Sequence, residues 1–264
     1  MKLLVHLILF IALTILTQIG GLVYLLVILI AKLKRLPILG SFLLFCLIYL
    51  VAIFTVVPWT SSKVFGRVKI ENNQLVSYHN VLTVLCNRNY VKSELNDALK
   101  EIGYQLNKKH PNTKVIYLDA NFPFFDGFPL FPHLSHNDGK KVDISFIYKD
   151  ASGKITNNKP SNSGYGVFEN PTQHETNTTA ICKEKGYWQY DYPKYLTLGT
   201  NNKSLTFSNK VNKDFLEIIT NLQQTQKVFI EPHLKTRLHL KSSKIRFQGC
   251  KAVRHDDHIH LQIN

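Results

Sequence analysis

The first 61 residues constrain this chain most, because they contain no acidic residue. The charged side chains of this segment are all basic: Lys2, Lys32, Lys34 and Arg35. The first acidic residue is Glu71. Long stretches with few charges are typical of membrane segments, since charged groups are costly in hydrocarbon. We therefore expect residues 1–61 to form a membrane anchor and residues 62–264 to form a globular domain.

Two uncharged runs divide the predicted anchor. Residues 3–31 would form a helix of roughly 44 Å and residues 36–57 one of about 33 Å, and both exceed the ~30 Å hydrocarbon core. We therefore predict two transmembrane helices, over 3–31 and 36–57. A cleaved signal peptide is the alternative for the first run. Its apolar region is usually only ~7–15 residues long, and no small-residue cleavage site follows Ala31.

Charge leaves the orientation of this anchor open. The connection from Lys32 to Arg35 is densely positive and favours the cytoplasm, which would place both termini outside. Lys63, Arg67 and Lys69 closely follow the second run and nearly balance that signal. The charge pattern alone therefore does not decide the orientation, which must be inferred from the function.

The composition of the remaining chain indicates a folded, basic domain. Hydrophobic residues make up 45% of the whole chain, with 13 Gly and 10 Pro, which excludes a disordered or collagen-like polypeptide. Of the 32 basic residues, 28 lie beyond residue 61 against 18 acidic ones, so this part carries about +10. Such a surface attracts polyanions non-specifically. Cys86, Cys182 and Cys250 allow at most one disulfide among them.

Periodicity beyond residue 61 predicts an α+β fold, with a mixed or antiparallel sheet and flanking helices. Helices are predicted over 93–106 and 213–223. Strands are predicted over 114–118, 142–148, 228–231, 244–247 and 258–263. Residues 151–210 are rich in Asn, Thr, Gly and Lys, and predict loops around a short strand or two.

Two histidine motifs carry the candidate chemistry. In the first, His136 on a turn is followed by Gly139 and then by Asp143 at the start of a predicted strand. In the second, His255 precedes His258 and His260, which are two residues apart on a strand and so project to one face. Two histidines and one aspartate are a ligand set typical of catalytic zinc, which keeps a fourth position for water.

The two motifs, His-x-x-Gly-x-x-x-Asp at 136–143 and His-Asp-Asp-His-x-His at 255–260, resemble those of the penicillin-insensitive murein endopeptidases. These belong to the wider lysostaphin, D-Ala-D-Ala peptidase and hedgehog group of zinc peptidases. The stretch 228–235 is also similar, so the resemblance runs from about residue 119 to 261.

The resemblance implies that His136, Asp143 and His260 bind Zn²⁺, that His258 is the catalytic base and that His255 lines the site. It also implies a zinc peptidase that hydrolyses peptide cross-links of peptidoglycan. With the anchor, this predicts an enzyme in the bacterial inner membrane whose domain faces the periplasm and cell wall. No nucleic-acid partner and no further cofactor are expected. Either Asp256 or Asp257 could orient an imidazole.

Three alternatives stay open at this point. One is a D-Ala-D-Ala-type carboxypeptidase or dipeptidase that trims stem peptides. Another is a catalytically silent, zinc-stabilised module that binds the cell wall. A third is a structural zinc site built from Cys250, His255, His258 and His260, which would leave the first motif unexplained.

Overall fold

The structure, a computed structural model, describes residues 2–264 and the side chains of residues 3–264. The α-helices are α1 Lys2–Thr17, α2 Gly20–Lys34, α3 Ile38–Val51, α4 Val57–Val64, α5 Val81–Leu85, α6 Ser93–Lys109, α7 Thr178–Glu184, α8 Asn209–Asn221 and α9 Pro232–Arg237. The strands are β1 Arg67–Lys69, β2 Val76–Tyr78, β3 Tyr90–Lys92, β4 Val115–Asp119, β5 Lys141–Ser145, β6 Tyr148–Lys149, β7 Ile155–Thr156, β8 Thr206–Phe207, β9 Thr225–Phe229, β10 Ile245–Arg246 and β11 His258–Ile263.

The chain forms two compact units. The first combines Met1–Ile70, Val81–Ser93 and Ala120–Gly139. The second combines Glu71–Asn80, Glu94–Asp119 and Lys140–Asn264. The division predicted between residues 61 and 62 stays a prediction about domains.

The single transmembrane helix predicted over residues 3–31 is wrong, because the run is broken into α1 and α2. Each helix rises only about 22–24 Å, less than the ~30 Å hydrocarbon core. The break lies at Gln18, whose φ is 67° and therefore not helical. Its side-chain amide donates to the Phe124 carbonyl at 3.0 Å and accepts from the Phe124 N–H at 2.9 Å.

Small residues allow the two helices to pack closely after this break. A Cβ at Gly21 would lie 2.0 Å from Oγ1 of Thr14, so only glycine fits there. The Gly20 N–H donates to the Thr17 hydroxyl at 2.8 Å. Farther along, His6 Nδ1 pairs with the Tyr24 hydroxyl at 2.7 Å. The first apolar run is therefore a helical hairpin.

The second apolar run forms one helical segment, Ile38–Val64, which is longer than the predicted 36–57. Its 27 residues rise about 40 Å, and it is the one helix in residues 2–264 that is long and apolar enough to cross a membrane. A π-helical turn, Ala52–Val56, precedes Pro58. Proline has no amide hydrogen to donate, and a wider turn lets the helix continue past it.

The core of the first unit joins the hairpin, the long helix and β3. Its buried side chains are Ile19, Val23, Val27, Ile53, Val57 and Tyr90, with Leu85 and Phe124 packed against them. Strands β1 and β3 pair in an antiparallel arrangement. The hinge between α1 and α2 is thus fixed by apolar contacts as well as by Gln18.

The second unit contains a six-stranded sheet in the order β10-β9-β11-β5-β4-β2. The two edge pairs are parallel and the inner pairs are antiparallel, which confirms the mixed sheet in an α+β fold. The amphipathic helices α6 and α8 bury one face each, as their apolar spacing predicts. The strand predicted over 142–148 divides into β5 and β6, which belong to different sheets.

Residues 151–210 contain more structure than the predicted loops and short strands. Besides β7 and β8, they form α7 and a 3₁₀ helix, Trp188–Tyr195. A disulfide joins Cys182 to Cys250, with the Cα atoms 5.2 Å apart. Cys250 is therefore not available as a metal ligand, and the structural zinc site that included it is wrong.

The hairpin makes a testable prediction about topology. Because α1 and α2 are antiparallel, insertion of the hairpin into a membrane would place the start of α1 and the connection after α2 on the same side. We expect single cysteines at Lys2→Cys and Leu33→Cys, in a background with Cys46 and Cys86 replaced by serine, to react with an impermeant maleimide from one side of sealed vesicles. Labelling from opposite sides would restore a single span over residues 3–31.

Candidate metal and catalytic centre

The last three residues of the second histidine motif, from His258 to His260, lie on β11 in the middle of the sheet. The pairing with β5 places His260 opposite Asp143 and His258 opposite Ser145. Ile259 and Leu261 alternate with the two histidines, so the apolar side chains and the imidazoles project to opposite faces of the sheet. The predicted strand and the shared face of His258 and His260 are thus confirmed.

Asp143 is the centre of this cluster and is fully buried. Its Oδ1 lies 2.9 Å from Nδ1 of His260 and 3.7 Å from Nε2 of His258. Its Oδ2 accepts a hydrogen bond from the Tyr165 hydroxyl at 3.0 Å. A buried carboxylate is costly unless polar partners surround it, and these side chains supply them.

His258 is held by a second carboxylate. Its Nδ1 lies 2.5 Å from Oδ1 of Asp257, whose Oδ2 accepts the Gly166 N–H at 2.6 Å. Burial alone would lower the pKa of His258, but the carboxylates of Asp257 and Asp143 outweigh it and raise that pKa to about 9. Asp257 is therefore the residue that orients His258, which the sequence left open between two aspartates.

Asp256 has a different partner. It forms a two-point ion pair with the guanidinium of Arg254, which also reaches Asp191 at 3.3 Å and the Asn170 side chain at 2.9 Å. Burial raises the pKa of Asp256 to about 7, although Arg254 acts against that shift. This ion pair positions the chain that leads into the histidine motif.

His255 lies beside the other two imidazoles of its motif. Its ring centroid is 4.9 Å from that of His258 and 5.9 Å from that of His260. Its backbone N–H donates to Oε1 of Glu231 at 3.0 Å, while Oε2 of Glu231 accepts from the Tyr190 hydroxyl at 2.6 Å. The buried Glu231 thus fixes the loop that carries His255.

His136 belongs to the first unit and lies on a loop. Its Nδ1 is 2.7 Å from the Ala120 carbonyl, so Nδ1 carries the proton and Nε2 is the ring nitrogen that can act as a ligand. The ring is buried and meets the His133 ring edge-on at 5.5 Å. Imidazoles oriented in this way by a carbonyl are typical of metal sites.

A buried arginine organises the loop that leads to His136. The guanidinium of Arg67 donates to the carbonyls of Phe122 and Asn137 and pairs with the carboxylate of Asp126. Of the aromatic residues along this loop, Phe122 is buried whereas Phe131 is exposed. The loop is therefore packed at its start and open further along.

His133 and His136 lie on the same loop of the first unit, and each offers an imidazole nitrogen that could bind a metal ion. His133 was not among the predicted site residues, although its three-residue spacing from His136 is a usable signal. Tyr165 and Glu231 were also missed. Tyr165 lies in a stretch with weak patterns. Glu231 lies in the stretch 228–235 that carries part of the resemblance, which is a usable signal, but its contacts with the Tyr190 hydroxyl and the His255 N–H were not predicted.

The comparisons with known proteins add no assignment. No protein-family model matches this chain, and no curated protein matches it.

The Glu231 contacts predict a large effect on stability. In Glu231→Ala the Tyr190 hydroxyl and the His255 N–H lose their acceptor inside the protein, so we expect a loss of about 2–4 kcal/mol in the free energy of unfolding. Chemical denaturation of the solubilised chain measures it. The exposed Glu184→Ala is the matched control and should change little. An equal effect of both substitutions would contradict this role for Glu231.

A salt bridge beside the site predicts a pH dependence. A hydrogen bond from Arg237 lowers the pKa of Glu175 from 4.5 to about 2, whereas burial raises that of Glu169, which shares the same guanidinium. A lowered carboxyl pKa stabilises the fold above about pH 4.5, and this contribution is lost as the pH falls toward 2.

We therefore expect Glu175→Gln to melt at a lower temperature than the unsubstituted chain at pH 6. The difference between the two melting temperatures should decrease steadily toward pH 3. Thermal melting followed by circular dichroism checks this. A difference in melting temperature that stays constant from pH 6 to pH 3 would show that Glu175 contributes through packing and not through its charge.

Proposed function

We propose that this chain is a membrane-anchored zinc metallopeptidase that hydrolyses peptide bonds of peptidoglycan, as a cross-link endopeptidase. The observation that carries the proposal is the cluster on β5 and β11, in which Asp143 contacts His260 while Asp257 orients His258. The two motifs that resemble murein endopeptidases supply the reaction class. That substrate is inferred from the resemblance.

The donor set suits Zn²⁺. We propose His136, Asp143 and His260 as its ligands, because all three are buried and offer imidazole nitrogen or carboxylate oxygen. The carbonyl partner of His136 Nδ1 is the kind of outer contact that zinc-binding histidines have. When bound, zinc lowers the pKa of a water ligand toward ~7 and polarises a carbonyl.

His258 is the proposed general base. Asp257 holds its Nδ1, so Nε2 is the ring nitrogen that would face the reacting water and take its proton. Once Asp143 serves as a metal ligand, its charge no longer raises the pKa of His258, which then falls toward the range of a useful base. His255 would line the site. The Tyr165 hydroxyl would keep the Asp143 carboxylate oriented by donating a hydrogen bond to Oδ2 of Asp143.

The proposed location is the bacterial inner membrane, with the second unit in the periplasm. The antiparallel hairpin brings the start of α1 to the same end as the Lys32–Arg35 connection, and this shared positive charge favours the cytoplasm. The disulfide between Cys182 and Cys250 is typical of an oxidising compartment. The helix Ile38–Val64 would connect the two sides.

The test uses the full chain in detergent, incubated with cross-linked murein and followed by mass spectrometry of the muropeptides. We expect conversion of dimers to monomers that a zinc chelator abolishes. Asp143→Ala should lose both bound zinc and activity, because it removes a ligand. His258→Ala should keep zinc but lose at least about 100-fold in rate, as expected for a general base.

The exposed His174→Ala is the control and should retain zinc and rate. Products derived only from monomeric stem peptides would instead indicate a carboxypeptidase or dipeptidase. An unchanged muropeptide profile from zinc-loaded protein would overturn the enzymatic proposal and favour a binding module.

A further inference from the structure

The 3₁₀ helix Trp188–Tyr195 exposes three aromatic rings. Trp188 and Tyr195 are 74% and 70% exposed, and Tyr192 lies between them at 38%. The Trp188 and Tyr192 ring centroids are 6.3 Å apart, and those of Tyr192 and Tyr195 are 6.0 Å apart. We call these three side chains the aromatic platform. Large aromatics clustered on a surface mark a binding site more often than scattered ones do.

Buried contacts hold the platform in place. Tyr190, Asp191 and Pro193 point inward from the same 3₁₀ helix. Oδ2 of Asp191 accepts from Lys183 at 2.5 Å and from Lys194 at 2.7 Å. The disulfide joins α7, which carries Lys183, to residue 250. A ligand that stacks on these rings therefore meets a preorganised surface, which lowers the entropic cost of binding.

The charges around the platform nearly cancel. Lys183, Lys194 and Arg254 share Asp191, and Arg254 also pairs with Asp256. Strong attraction to a polyanion or to an anionic membrane would need several uncompensated positive charges, whereas these three cations exceed their two carboxylate partners by only one. A hollow of about 420 Å³ lined by the platform and both lysines adds hydrogen-bond donors at the rim.

From these features we propose that the aromatic platform binds a polysaccharide strand by stacking on its sugar rings. A pyranose ring has an apolar C–H face that suits an aromatic ring and a rim of hydroxyls that suits the lysine donors. Near-neutral local charge fits such a ligand, whose recognition depends on ring faces and hydrogen bonds.

The platform adjoins the loop that precedes the candidate base His258. The Arg254 N–H donates to the Tyr190 carbonyl at 3.0 Å. The Pro193 carbonyl lies so close to Gly166 that a Cβ there would be 2.3 Å away, and the Gly166 N–H holds Asp257. A strand on the platform would thus present its peptide side chains beside His258. In this respect the inference rests on the proposed function, with the glycan of peptidoglycan as the ligand.

Tryptophan fluorescence gives a direct binding test, because the chain has two tryptophans, Trp59 and Trp188. In full-length Trp59→Phe protein, the signal comes from Trp188 alone. The probe is the N-acetylglucosamine tetramer, which has no peptide to cleave. We expect a saturable change in emission whose dissociation constant is nearly the same at low and high salt, since charge is not the main attraction.

Tyr192→Ala and Tyr195→Ala in that background should each weaken binding by about tenfold, as for contacts at the centre of an interface. The exposed Tyr104→Ala on α6 is the matched control and should leave affinity unchanged. No saturable response, or an affinity in both platform variants equal to that of the Trp59→Phe background, would overturn the proposal. So would a response only to micelles of an anionic phospholipid, which would indicate a membrane contact.

Failure of this inference is distinguishable from failure of the hydrolase proposal. His258→Ala should bind the tetramer normally because it leaves the platform intact. Tetramer binding without cleavage of murein by the unsubstituted chain would support the platform and reject the enzyme. Cleavage of murein without tetramer binding would support the enzyme and reject the platform as a binding site.

Discussion

The contact between Asp143 and His260 is the interaction on which the candidate site depends. Asp143 is buried in the middle of a six-stranded sheet, and the antiparallel register of β5 and β11 places it directly opposite His260. A carboxylate in such a position is tolerated because His260, His258 and Tyr165 surround it with polar atoms. A shift of one residue in this register would turn the histidines to the opposite face of the sheet and dismantle the cluster.

Further hydrogen bonds and an ion pair hold the residues around that contact in place. Asp257 contacts Nδ1 of His258 and accepts a hydrogen bond from the Gly166 N–H. Asp256 pairs with Arg254, which directly precedes the motif. Glu231 fixes the backbone of His255. The two adjacent aspartates therefore have different partners: Asp257 orients His258, and Asp256 pairs with Arg254.

Local patterns predicted the centre of the sheet and the helices well, because alternation at β11 and the apolar spacing of α6 are set by burial of one face. The hairpin of α1 and α2 was missed because hydropathy reports apolar character and not the break at Gln18. The polar and small residues around Gln18 were the available signal. The contacts of Glu231 and Tyr165 could not be predicted, since they join residues 24 and 22 positions apart that only the tertiary fold brings together.

We propose the Asp143 cluster as the site of a zinc ion. The most direct measurement is zinc analysis of the full-length chain combined with X-ray absorption at the zinc edge. We expect one zinc per chain, bound only by nitrogen and oxygen, and its loss in Asp143→Ala. Sulfur in the coordination sphere, or zinc that stays bound after that substitution, would contradict it.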